Sequence, residues 1–154
     1  MTDVLGYAGK RVIVTGAATG TGADIARLLV ELGAEVHALD GTAATQPGLA
    51  SRTTCDPRDP EQIDGAVARI GAVVNGLFVC GPPPSGAADA QPARFAGVGR
   101  LVETVVPLMI PGSAVVAVVL ADEAAAFAGY AADRAPALAH LGIRIAWVSV
   151  GGRS

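Results

Sequence analysis

Short apolar runs alternate with amphipathic stretches along the chain. The first run is Arg11-Val12-Ile13-Val14, a buried-strand pattern. An amphipathic helix follows over Ala23–Leu32, with Gly33 as its stop signal. A second strand, Glu35-Val36-His37-Ala38-Leu39, ends in Asp40, and a third spans Ala50–Asp56. Asp59 then caps a helix with Pro60 in its first turn and Ile63, Ala66, Val67 and Ile70 at helical spacing. A fourth strand, Gly76–Cys80, runs into the loop Gly81–Pro92, and a helix extends from about Ala93 to Leu108. A fifth strand covers Ala114–Leu120, an alanine-rich helix begins near Asp122 and passes Tyr130, and a last strand covers Ile143–Val148. Pro136 is expected to interrupt that last helix.

Strict strand–helix alternation predicts one α/β domain over residues 1–154, a three-layer doubly wound parallel sheet of Rossmann type. The expected strand order is 3-2-1-4-5-6, with a ligand at the carboxyl ends near the switch between strands one and four.

The joint between the first strand and first helix reads Thr15-Gly16-Ala17-Ala18-Thr19-Gly20-Thr21-Gly22. Gly16 allows a tight turn, Gly20 lets backbone approach phosphate oxygens, and Gly22 lets the helix pack closely on the strand. The unpaired N–H groups and positive dipole end of the helix then face an anion. The spacing is G-x-x-x-G-x-G rather than G-x-G-x-x-G, but Asp40 lies about 20 residues beyond the loop, as a dinucleotide fingerprint requires. A carboxylate there accepts both hydroxyls of an adenosine ribose and repels a 2′-phosphate, which favours NAD over NADP. The competing reading is a ligand-free glycine turn with Asp40 as a strand-end cap.

Composition adjusts this picture. Half of the 154 residues are hydrophobic (51%) and 16% are charged, with a mean hydropathy of +0.48. So apolar a small domain is expected to bury surface in a homo-oligomer. The longest apolar run, Ala114–Ala121, has strand length, so no membrane span is expected. Met1-Thr2-Asp3 lacks the regions of a signal peptide, which places the expected location in the cytoplasm. A net charge of −3 without a basic stripe argues against nucleic-acid binding. Cys55 and Cys80 form no C-x-x-C pair and no zinc spacing with His37 or His140, so they read as small buried hydrophobes and no metal is expected.

These motifs resemble the short-chain dehydrogenase/reductase family. TGAATGTG matches its TGxxxGxG, Asp40 its ribose-binding acid, and Cys55-Asp56 the position where an Asp contacts the adenine ring. Asn75–Gly81 resembles the NNAG strand in a divergent form with Cys. Gly142–Gly151 resembles GIRVNxVxPG, with Val150 in place of the proline. The resemblance implies a cofactor site of Gly16, Thr19, Gly20, Thr21, Gly22, Asp40, Asp56, Cys80 and Gly81, with NAD as cofactor. It implies hydride transfer to or from a small alcohol or carbonyl substrate, with Tyr130 as acid/base. Arg134 stands where the family has lysine, Ala121 or Asp122 where it has serine, and Arg94 near its asparagine. A permanent charge on Arg134 would lower the Tyr130 pKa.

If the helix starts at Asp122, Tyr130 lies about 12 Å along its axis, and only a break at Gly129 would restore the family's spacing. As a plain helix surface, Tyr130 and Arg134 are simply an i,i+4 pair. Ser154 follows closely on the sixth strand, so a shortened member is expected, without a seventh strand or lid and with an exposed sixth strand. That edge, or the helix carrying Leu101, Val102, Val105, Val106 and Met109, is expected to meet another subunit. Three functions remain open: an NAD-dependent oxidoreductase, an NAD-binding subunit or sensor without hydride chemistry, and a non-redox enzyme using Asp122, Arg94 or Cys80.

Overall fold

In a computed structural model, residues 6–18, 20–41, 44–56, 59–71, 73–80, 90–120 and 124–150 are described. Strands and helices alternate as β1 Arg11–Thr15, α1 Gly20–Glu31, β2 Glu35–Asp40, β3 Ser51–Thr54, α2 Pro60–Ile70, β4 Val74–Cys80, α3 Ala90–Val105, β5 Met109–Leu120, α4 Ala124–His140 and β6 Arg144–Val150. The strands form one parallel sheet in the order β3-β2-β1-β4-β5-β6, the expected Rossmann-type arrangement. The order reverses between β1 and β4, opening a crevice at their carboxyl ends.

Period-two side-chain alternation divides the core between the two faces of the sheet. Val12, Val14, Val36 and Ala38 pack with Ala26 and Leu29 of α1 on one face. Ile13, Leu39, Leu77, Val115 and Ala117 pack with Val67, Val102, Val105, Phe127 and Leu138 of the other three helices on the opposite face. Leu101, Val102 and Val105 are therefore buried within the chain. Their apolar face is explained by packing on the sheet, without a second subunit.

Several boundaries differ from expectation. Helix α1 starts at Gly20 rather than Ala23, because among the loop glycines only Gly16 (φ 66°) and Gly20 (φ 63°) adopt a left-handed conformation; Gly22 is helical. Helix α3 ends at Val105, and a short 3₁₀ turn over Val106–Leu108 contains Pro107, whose missing N–H ends the α-helical ladder. Met109 consequently belongs to β5, pairing with Val74 across a register shift, rather than to the helix. Helix α4 passes through both Gly129 and Pro136 to His140. Its buried residues Phe127, Ala131 and Leu138 hold it to the sheet, and this packing outweighs the intrinsic cost of proline. The capping of α2 is as read from the sequence: Asp59 Oδ1 accepts from the N–H groups of Glu61 (3.0 Å) and Gln62 (3.4 Å).

At the amino ends of the strands, away from the crevice, a polar network ties β1, β2 and β3 together. Arg11 Nε donates to Glu35 Oε2 at 2.6 Å, His37 Nε2 lies 2.7 Å from the same oxygen, and His37 Nδ1 lies 2.6 Å from Ser51 Oγ. No helix among the described residues is long and apolar enough to cross a membrane.

Candidate cofactor-binding site

The crevice is built where β1 ends and α1 begins. The Gly16 N–H donates to the Leu39 carbonyl at 3.0 Å, which ties the turn to the end of β2. Thr15 Oγ1 accepts from the Cys80 N–H at 3.2 Å, which pins the carboxyl end of β4 to that of β1. A Cβ on Gly22 would lie 2.0 Å from the Gly16 carbonyl oxygen and 3.1 Å from Cys80 Cβ. No other residue permits α1 to sit so low on the sheet. Around Gly20 the situation is reversed: among the described residues nothing lies within 4 Å of where a Cβ would be. The Gly20 position is thus unobstructed at the start of α1, whose first N–H groups have no partner within the helix itself. The first turn of α1 carries no acidic side chain, so its positive end is not neutralised from within the helix. A cradle with these properties fits a diphosphate.

Asp40 ends β2 beside this cradle. Its Oδ2 accepts a hydrogen bond from the Ala18 N–H at 2.9 Å. Glycine turn and acid, 22 residues apart in sequence, are therefore one site. The Cys55 N–H donates to the Asp40 carbonyl at 2.7 Å, so Asp56 emerges at the carboxyl end of β3, next to Asp40. Thr21 is exposed in the first turn of α1. Thr19 and Gly81 lie outside the described residues, as do Ala121 and Asp122, and so does the side chain of Arg94.

Cys80 is buried at the end of β4, and burial pushes its thiol up to about 12. Burial, followed by the charges of Asp56 and Asp59, also raises Cys55. Neutral thiols in apolar surroundings are poor nucleophiles, which weighs against a reaction carried by Cys80.

Tyr130 and Arg134 lie where α4 meets α3. Helix α4 begins at Ala124, so Tyr130 lies six residues along it, about 9 Å by the helical rise. Gly129 is inside the helix and makes no break. The Tyr130 ring packs on Phe127, with centroids 5.7 Å apart, and reaches toward Gly99 of α3. Its hydroxyl is buried and has no hydrogen-bond partner among the described residues. Arg134 pairs with Glu103 of α3 instead. Burial raises the phenol pKa, and Glu103 and Asp133 add to that rise; Arg134 opposes it without reversing it. The net direction is thus opposite to the one expected from Arg134 alone.

One contributor had no signal in the sequence pattern. Gln46, in the loop between β2 and β3, donates from Nε2 to the Ala17 carbonyl at 2.9 Å. A loop glutamine belongs to no motif, and only the folded loop brings it there.

No family model matches the chain. A curated relative, the coniferyl-alcohol dehydrogenase of a Pseudomonas species, is 33% identical over 111 residues, which covers 70% of this chain and 42% of that protein. The chain thus spans less than half the length of that relative. Among solved structures, a short-chain type dehydrogenase/reductase from Mycobacterium marinum superposes with a TM-score of 0.83 at 20% identity, over 96% of this chain and 74% of the other. Aldohexose dehydrogenase from Thermoplasma acidophilum matches with a TM-score of 0.78 at 21% identity, covering 93% and 66%. BdcA, an E. coli protein solved in complex with NADPH, matches with a TM-score of 0.77 at 20% identity, covering 93% and 70%. At such identities these structures speak for the fold. The TGxxxGxG turn bonded to its strand-end acid and the shared residues of the Pseudomonas relative carry the rest: the chain belongs to the short-chain dehydrogenase/reductase family.

Proposed function

We propose that the protein binds NAD(H) and supports hydride transfer between the nicotinamide and a small alcohol or carbonyl compound. The observation that carries this reading is the hydrogen bond from the Ala18 N–H to Asp40 Oδ2 at 2.9 Å, which joins the glycine turn to the acid that ends β2. In this proposal the turn at Gly16, Thr19, Gly20, Thr21 and Gly22 holds the diphosphate with backbone N–H groups. Asp40 would accept the hydroxyls of the adenosine ribose, Asp56 would meet the adenine, and Cys80, with Gly81 as the family resemblance implies, would serve the cofactor beyond the phosphates. The bound dinucleotide supplies the hydride acceptor or donor. Asp40 favours NAD because a 2′-phosphate beside a carboxylate is repelled. Tyr130 is the proposed acid/base and Arg134 its cationic neighbour. The apolar composition and the exposed side chains of Leu28, Ile110, Leu141 and Val148 support a homo-oligomer.

A second reading has its own support: binding of NAD(H) without hydride chemistry, as a subunit or sensor. The Tyr130 hydroxyl is buried against α3 and Arg134 is committed to Glu103. Two measurements separate these readings. Calorimetric titration with NADH and NADPH is expected to give saturable heat with NADH and a weaker response to NADPH. Absence of heat with both removes the dinucleotide reading. Turnover of an alcohol and carbonyl panel, lost in Tyr130→Phe, supports the enzyme; binding with no turnover of any compound supports the second reading.

A further inference from the structure

Ala17 and Ala18 are joined by a peptide group held on both edges. Its carbonyl oxygen accepts from Gln46 Nε2 at 2.9 Å, and its N–H donates to Asp40 Oδ2 at 2.9 Å. The C=O and N–H of a trans peptide point in opposite directions, so Gln46 and Asp40 approach the same plane from opposite sides. A rotation of that plane that breaks one bond breaks the other. A bond accepted at the carbonyl also polarises the amide and strengthens the bond its N–H donates.

Gln46 is itself fixed. Its backbone carbonyl accepts from Arg52 Nη2 of β3 at 2.7 Å. Two residues earlier, Ala44 is buried in the same cluster as Ala17 and Ala26, which presses the loop onto the turn. The Ala50 N–H donates to the Val36 carbonyl at 2.8 Å and closes the loop's far end on β2. A continuous relay thus runs from Arg52 to Gln46, through the Ala17–Ala18 peptide, to Asp40.

We infer that Gln46 is a positioning residue for Asp40: it sets the plane of the Ala17–Ala18 peptide and thereby aims the carboxylate that selects the adenosine ribose. Its functional consequence rests on the dinucleotide reading proposed above. Gln46 acts through the peptide and is assigned no contact with the cofactor. Discrimination against a 2′-phosphate depends on where the Asp40 carboxylate stands, so loss of the relay narrows the gap between NADH and NADPH. A side chain that merely stiffened the loop would weaken both dinucleotides alike.

Gln46→Glu tests this, since it keeps the size of the side chain and turns its donor into an acceptor facing the Ala17 carbonyl. In the ligand-free protein, hydrogen exchange of the Ala18 amide followed by NMR is expected to accelerate about tenfold, the scale of one net hydrogen bond. In titrations, the NADH dissociation constant is expected to rise about fivefold, with a smaller rise for NADPH. In an Asp40→Ala background the same Gln46 change is expected to cost less than about twofold, because the two residues act as a unit. Unchanged Ala18 exchange overturns the inference. So does an equal loss for NADH and NADPH, or full additivity with Asp40→Ala. Accelerated Ala18 exchange in a protein that binds neither dinucleotide supports the relay and refutes the cofactor reading, which separates the two. If Gln46→Glu fails to fold, Gln46→Leu removes the donor without adding charge and is read by the same criteria.

Discussion

Tyr130 and Arg134 stand one helical turn apart on α4, yet they do not act on each other by a hydrogen bond. The guanidinium turns to Glu103 of α3, and the phenol hydroxyl is buried near Gly99 with no partner among the described residues. An i,i+4 pair that looks catalytic in sequence is also a polar layer between two packed helices. The two roles make different demands on stability.

The first prediction follows from that orphaned hydroxyl. A buried polar group without a partner costs about 1–3 kcal/mol. Tyr130→Phe keeps the ring on Phe127 and removes the unpaired atom. The substitution is expected to leave the urea midpoint unchanged or raise it, while abolishing any hydride transfer in which Tyr130 serves as acid/base. A loss of more than about 1 kcal/mol of stability on urea unfolding would mean that the hydroxyl is bonded in solution.

Gly22 offers a steric test. An added Cβ would fall 2.0 Å from the Gly16 carbonyl oxygen, so α1 must move off the sheet. Gly22→Ala is expected to destabilise the fold by about 1–3 kcal/mol, as overpacking does, and to weaken NADH binding more than tenfold. Gly20→Ala distinguishes space from conformation: nothing among the described residues lies within 4 Å of the new Cβ, but the φ of 63° penalises a side chain. Its expected stability cost is smaller, about 1 kcal/mol. Urea unfolding of both variants checks the order.

Asp40→Ala is expected to raise the NADH dissociation constant about tenfold or more while NADPH affinity rises or stays level, since the carboxylate both accepts ribose hydroxyls and repels a 2′-phosphate. Parallel fluorescence titrations with the two nucleotides read this directly. Equal losses for both would remove Asp40 from cofactor selection.

The strand-end network gives a pH prediction. The hydrogen bond with His37, then the one from Arg11, holds Glu35 below its ordinary value of 4.5. A depressed carboxylate stabilises the fold above its unfolded pKa and loses that contribution as pH falls through its folded value. The urea midpoint of Glu35→Gln is therefore expected to lie below that of the wild type at pH 5–7 and to converge on it as the pH drops below about 4.5. A constant offset down to pH 3 would exclude the linkage.

Cys80 should be chemically quiet. With burial pushing its thiol up to about 12, it is expected to react with a thiol reagent at pH 8 only on unfolding. Rapid modification in the folded protein would reopen a role for it as a nucleophile.

What the chain determines by itself is set by short-range chemistry. Apolar runs alternating with amphipathic helices, Asp59 ahead of Pro60, and glycines at Gly16, Gly20 and Gly22 each act within a few residues. The parallel sheet, the helix cap and the tight glycine turn between β1 and α1 were therefore all readable before folding. Asp40 was readable because the spacing from a turn to the end of the next strand is conserved by βαβ geometry itself.

Tertiary packing decided the rest. The local signal at Pro136 argued for an interrupted α4, but burial of Phe127, Ala131 and Leu138 keeps it continuous, through Gly129 as well, and carries Tyr130 against α3. Met109, read as helical, was drawn into β5 by pairing with Val74. Gln46 meets the Ala17 carbonyl across 29 residues of chain, through a loop with no periodicity to betray its path. Contacts between distant segments depend on how whole layers dock, and no local pattern encodes where such a side chain will arrive.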